Sequence, residues 1–288
     1  MLFTIVAIAT ALASVSIHEL GHAYAMRQCG VRVISISLLG IPGLGTFRLP
    51  IRSRFFPGTN WYLHPLIIGA YVEPEEKDME GLSRRDALYI YGMGPLMNIL
   101  FTLVVALIFV TLTLALDMFG RSRGVPPPWG KQMMPLVFVG LGAIITALWY
   151  FRRLVCQFVL LPIGWWLAIT MVYFVFTKSG MPVSGLSDQI GDIHRVGPKM
   201  MEGMPQSVIL EIVMAIVLGT GLSVILGLTN LLPLVPLDGG HMMRFALPVA
   251  WRDAYIYLTA PIFAILILLQ FGKDFYNLGR WMFGQMFW

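Results

Sequence analysis

His18-Glu19-Leu20-Gly21-His22 closes the first apolar stretch of the chain, after an uncharged run from Met1 to Ile17. The two histidines are four residues apart, so on a helix they lie one turn above each other on one face. Two imidazoles so spaced suit two ligand positions of a zinc ion. Glu19 projects to the side of that face, placed to take a proton from water activated by the metal rather than to bind the metal itself. A pentapeptide of this kind also arises by chance. Here its ionisable groups sit beside a long apolar run, where such groups are costly and tend to be functional. Zinc wants a third protein ligand, and that ligand decides the kind of site.

The composition sets the class. Of 288 residues, 57% are hydrophobic and only 12% charged, and the mean hydropathy is +0.76. Apolar runs long enough to cross a bilayer recur along the chain. The fold expected is therefore an all-α polytopic membrane protein. The net charge of +5 comes without a basic block of the kind that binds nucleic acid. It fits loops facing the cytoplasm or anionic lipid. Cys29 and Cys156 have neither the number nor the spacing of a disulfide framework or a metal clip. Ala11-Leu12-Ala13 resembles a signal-peptide cleavage site, but the start of the chain lacks a positive region. Cleavage there would also strip most of the helix that carries the histidines, so the segment reads as a mature transmembrane helix.

About six spans are expected in a single membrane-embedded unit over 1–288. The first helix covers 1–29. Over 31–85 no run is long enough to span; β-branched and polar residues alternate from Val31 to Ser37, then break at Gly40, Pro42, Gly43 and Gly45. A second strand-like piece, Trp61 to Val72, follows the turn signal Pro57-Gly58-Thr59-Asn60. This is a small membrane-associated β-region on the cytoplasmic side, ending in a solvated acidic patch from Glu73 to Glu80. A span over 87–116, a stiff connection from Asp117 to Lys131, and a tight helical hairpin over 133–176 come next. Lys178 to Gln206 is too polar to span. The late spans cover 208–241 and 254–272, and the aromatic tail 273–288 reads as an interfacial anchor. Arginines cluster after the first span and at Arg152-Arg153. If those sides are cytoplasmic, the histidines lie in the cytoplasmic half of their helix. Arg121, Arg123 and Lys131 then face outward, against the rule.

One acidic residue stands out as the third ligand. Asn230-Leu231-Leu232-Pro233-Leu234-Val235-Pro236-Leu237-Asp238-Gly239-Gly240-His241 ends the fifth span. Its prolines break the helix and its glycines permit tight turning. Asp238 is an acid inside an otherwise apolar segment, where a metal ion is a good partner. Capping of a following helix is the other role open to Asp238, and His241 is a competing ligand.

His-Glu-Leu-Gly-His in the first helix with Asn-x-x-Pro-x-x-Pro-Leu-Asp-Gly-Gly in a late one resembles the site-2 proteases, the intramembrane zinc metalloproteases. Gly69-Ala70-Tyr71-Val72 and Gly92-Met93-Gly94-Pro95-Leu96-Met97-Asn98 also resemble that family's pattern. The resemblance implies one zinc ion held by His18, His22 and Asp238, with Glu19 as catalytic acid/base. Asn98, Asn230 and Pro233 would lie near the substrate or shape the site. It implies a multi-pass protein of a bacterial inner or plasma membrane, with the active site toward the cytoplasm. The substrate would be a transmembrane protein, such as an anti-sigma factor, a membrane-tethered regulator or a signal-peptide remnant. The β-region would guide an unwound substrate segment, with Val33 to Leu38 as the candidate docking edge. Where better-known bacterial members carry a PDZ domain, this chain has the 133–176 hairpin.

Two other classes fit part of the pattern. Integral-membrane proteases with an internal chamber share the pentapeptide but take a downstream Glu as third ligand; here Glu202 and Glu211 are the candidates. A metal or ion transporter could use the His/Asp cluster as a transit site among proline-broken helices.

Overall fold

The computed structural model describes residues 2–38, 47–63, 70–118, 134–177 and 208–286. The polar stretch 178–206 and most of the 117–131 connection lie outside them. Helix α1 (Leu2–Gln28) is followed by β1 (Val33–Leu38), β2 (Phe47–Leu49), β3 (Asn60–Leu63) and β4 (Tyr71–Pro74). The short α2 (Glu76–Glu80) leads into α3 (Arg84–Met118). Then come α4 (Met134–Tyr150), α5 (Arg152–Leu154), a π-helical turn (Val155–Val159) and α6 (Leu160–Thr177). The last three helices are α7 (Val208–Asn230), α8 (Asp238–Ala246) and α9 (Val249–Met286).

Four of the described helices are long and apolar enough to cross a membrane: Leu2–Gln28, Arg84–Leu112, Arg152–Thr170 and Val249–Leu268. Two shorter apolar helices, Pro135–Tyr150 and Ala215–Asn230, stand beside them. Among the described residues, four helices thus qualify as spans where hydropathy leads one to expect six. Two boundaries also differ. The span expected over 208–241 stops at Asn230, because Pro233 and Pro236 cannot continue it, and Asp238 opens a separate helix. The stretch 273–286, expected as a distinct tail, continues α9 without a break.

Helix ends follow local chemistry. Gly30, at φ 79°, takes the left-handed position that closes α1. The Val31 amide donates to the Met26 carbonyl and the Gly30 amide to that of Arg27, which closes the last turn. At the start of α3, Ser83 Oγ accepts from the Asp86 amide and donates to the Asp86 carboxylate.

Helices α1, α3 and α7 pack against one another as the core of the bundle, and α8 lies on α3. Close approach depends on missing side chains. A Cβ at Gly21 of α1 would meet the Met93 carbonyl of α3 at 2.8 Å. One at Gly219 of α7 would stand 2.8 Å from the Ala7 carbonyl of α1. The hairpin α4–α6 packs on the outer side of α3, with Cys156 against Gly92.

The four strands form one sheet in the order β2-β3-β1-β4. β1 runs parallel to β3 and antiparallel to β4, and β2 runs antiparallel to β3. Trp61, Ile36 and Val72 are direct cross-strand neighbours and form the sheet's buried apolar row. This corrects the sequence expectation that Val33 to Leu38 is an edge. β1 is central, because its alternating apolar residues are the ones with a partner on both sides; the edges are β2 and β4.

Substituting Gly21 by Ala should destabilise the protein by about 1–3 kcal/mol, since a backbone carbonyl blocks the new methyl. Gly142→Ala, where nothing lies within 4 Å, should be near neutral. Reversible unfolding in mixed micelles measures both.

Candidate metal centre

The first two ligand candidates share one turn of α1, and the third returns from a break in the helix 216 residues later in the chain (238 − 22). His18 and His22 are buried, with their side chains 4% and 8% exposed, and Asp238 is 13% exposed. His18 Nε2 lies 2.8 Å from Asp238 Oδ2, and His22 Nε2 lies 3.3 Å from Oδ1. The two Nε2 atoms are 3.2 Å apart. One ligand atom from each of the three residues falls within 4.8 Å of the others, the only such group among the described residues.

The surroundings fix each imidazole. His22 Nδ1–H donates to the Ile90 carbonyl of α3 at 2.8 Å, which directs Nε2 inward. Asn98 is fully buried on α3, and its amide nitrogen lies 3.1 Å from His18 Nδ1 while its Oδ1 has no partner. As placed, the Asn98 amide donates to Nδ1 and Nε2–H donates to Asp238. Ligation through Nε2 requires the proton on Nδ1 instead, with the amide turned so that the orphaned Oδ1 accepts it. Asn230 Nδ2, at the end of α7, is 3.1 Å from His18 Nε2. The sequence candidates His18, His22, Asp238, Asn98 and Asn230 therefore meet in one place. Pro233 is buried in the turn behind Asp238, with its carbonyl accepting from Tyr255 Oη at 2.6 Å.

Asp238 is the first residue of α8, after the N-cap Leu237. Its oxygens face the histidines. Glu19 is half-buried and interacts electrostatically with His22, His18 and Asp238. His241 stands outside the cluster; its ring stacks on Tyr91 at 4.7 Å, and Tyr91 in turn lies edge-on to His22. Glu202 lies outside the described residues, and only the backbone of Glu211 is described.

Sequence reasoning gave no role to Gly94. A Cβ there would lie 2.6 Å from His18 Nε2 and closer still to His22 Nε2, so this glycine leaves open the space into which both ligand atoms point. The available signal was a glycine inside an apolar helix, which marks close approach.

Two imidazoles and one carboxylate, with a cradle that a methyl would fill, suit a zinc ion with one open position. Residues 6–269 match the profile of Peptidase family M50. The chain belongs to this family. M50 peptidases, the site-2 protease family, are zinc metalloproteases, which makes this chain an integral membrane metalloprotease. No curated protein matches the sequence.

Gly94→Ala in this M50 peptidase should abolish stoichiometric zinc, while Gly221→Ala, with open space around it, should retain it. Asn98→Ala should weaken zinc binding by about 10–100-fold through loss of the His18 partner. Elemental analysis and competition with a chelating dye read both.

Proposed function

We propose that the protein is an intramembrane zinc endopeptidase of the site-2 type, which hydrolyses a peptide bond within or near a transmembrane segment of another membrane protein. The observation that carries this reading is the convergence of His18, His22 and Asp238 inside a bundle of apolar helices, with Glu19 beside them. Asp238 stands where a chamber protease would need a downstream Glu, which favours the site-2 reading. The single membrane-embedded unit has six spans on this proposal, α4 and α7 crossing with the four longer helices. The arginines near span ends support a site toward the cytoplasm of a bacterial inner or plasma membrane.

Zinc held by His18, His22 and Asp238 would supply Lewis acidity toward the scissile carbonyl and lower the pKa of water to ~7. Glu19 takes the proton of the attacking water and delivers one to the leaving amine. The Ile90 carbonyl and Asn98 hold the two imidazoles in orientation throughout. Asn230, beside His18, is positioned to donate to the substrate carbonyl.

A substrate helix hides its carbonyls in hydrogen bonds and has to unwind before it can be cut. Strand addition to a free edge replaces those bonds. Of the two edges, β4 is favoured, because it packs against α1, the helix that carries His18, Glu19 and His22. Membrane-tethered regulators, anti-sigma factors and signal-peptide remnants all present such a segment.

Purified wild type should contain about one zinc per chain. Glu19→Gln should keep the zinc and lose cleavage, whereas His22→Ala and Asp238→Asn should lose both. Zinc indifferent to Asp238 would sink this reading, and transport retained in Glu19→Gln would move the protein to the transporter class. Tyr71→Pro should slow cleavage of a model transmembrane substrate with zinc still bound; an unchanged rate would remove β4 as the docking edge.

A further inference from the structure

The turn that delivers Asp238 is gripped by two helices that supply no ligand. On one side, α6 approaches so closely that a Cβ at Gly164 would collide with the Leu231 carbonyl oxygen and stand 3.0 Å from its carbon. The same carbonyl is met as closely by Gly239, the residue after Asp238, where a Cβ would collide with it too. Leu231 is 1% exposed and so has nowhere to retreat. From the far side, Tyr255 of α9 donates its hydroxyl to the Pro233 carbonyl at 2.6 Å. Inside the turn, the Leu234 amide donates to Leu232 and the Leu237 amide to Leu234.

We propose that Gly164 and Tyr255 are positioning residues that clamp the 231–237 turn between α6 and α9, and that this clamp sets where Asp238 stands against His18 and His22. The inference rests on the metal reading of the site. It gives the hairpin that includes α6 a defined place, as one wall of the seat of the third ligand. The stack of Gly164, the Leu231 carbonyl and Gly239 contains no flexible side chain, so it transmits displacement rather than absorbing it. Relieving a methyl at 164 takes a shift on the order of 1 Å, against a ligand-distance tolerance of about 0.2 Å.

The test uses the full-length protein in detergent with Gly164→Ala and Tyr255→Phe. Gly140→Ala, on the same hairpin with nothing within 4 Å of the new methyl, is the control. The first readout is the zinc dissociation constant together with the visible spectrum of the cobalt-substituted protein. Gly164→Ala should raise the constant by about 10–100-fold and alter the spectrum, Tyr255→Phe should do so less, and the control should match wild type. The second readout is hydrogen exchange of the metal-free protein, in which both variants should speed exchange across 231–241 and leave α1 and α3 unchanged. Tyr255→Phe adds no atom and keeps the test open if Gly164→Ala fails to fold. Wild-type metal binding and exchange in both variants, or exchange raised uniformly along the chain, would overturn the clamp. A wild type that binds no zinc would bring down the metal reading, and the exchange result would still decide the clamp.

Discussion

A carboxylate with 13% of its surface exposed, set between two buried imidazoles in a bundle of apolar helices, is the arrangement on which the rest of the structure depends. Uncompensated, such a charge is several kcal/mol out of place, and removing one partner of a buried pair typically costs roughly 3–5 kcal/mol. The fold meets that cost by bringing four chain segments to one point. α1 brings His18 and His22, α3 brings Asn98 and the Ile90 carbonyl, the end of α7 brings Asn230, and the start of α8 brings Asp238. None of these groups can be moved without leaving another buried polar atom without a partner. One already is: Asn98 Oδ1 has none until His18 presents a proton on Nδ1. In the metal-ready tautomer, with the Asn98 amide turned, that oxygen accepts the His18 Nδ1 proton.

Bringing polar groups together inside apolar helices requires the backbones to come close, and that is the work of a few glycines. Gly21 admits the Met93 carbonyl to α1, Gly94 leaves the space facing both imidazoles, and Gly164 and Gly239 flank the Leu231 carbonyl. Gly94, Gly164 and Gly239 lie opposite ligand or backbone atoms, and Gly21 opposite the Met93 carbonyl beside the Met97 side chain, so at each a neighbour stands that cannot swing away. The ligand geometry is therefore set by helix-to-helix distance, and side-chain rotamers adjust only what remains. This explains why the helix break at Pro233 and Pro236 does not loosen the site. The freed turn is short, closed by its own hydrogen bonds, and enclosed by α6 and α9.

The part of the site that lies on one helix turn was legible in the sequence, because His18 and His22 need only helical periodicity to share a face. Asp238 was legible as an acid in an apolar run bounded by proline and glycine. Its role stayed open between ligand and cap; in the structure it begins α8 with its oxygens toward the histidines. Gly94 and Gly164 were not legible as site residues. What a glycine faces depends on which helix packs opposite, and local pattern carries no information about that. The sheet failed for the same reason: alternation identifies β1 as a strand, but its place between β3 and β4 is set by a parallel pairing across 20 or more residues. The span expected over 208–241 took in the proline-broken turn and the start of the next helix; the helix itself stops at Asn230 and Asp238 opens a separate one.

His241 shows how one helical turn sets a residue apart from the His18, His22 and Asp238 cluster. It belongs to the same turn-and-helix segment as Asp238 and carries a ligating atom, so residue type alone makes it a rival. One helical turn puts it over the ring of Tyr91, parallel and 4.7 Å away, with its Nδ1 buried and unpartnered. Tyr91 in turn lies edge-on to His22. The aromatic pair therefore walls the ligand cluster on the α8 side and contributes bulk rather than coordination. A wall of this kind keeps the carboxylate and imidazoles shielded from bulk solvent, where their mutual interactions are strongest. The same apolar surroundings that make Asp238 costly are what give its contacts with His18 and His22 their strength.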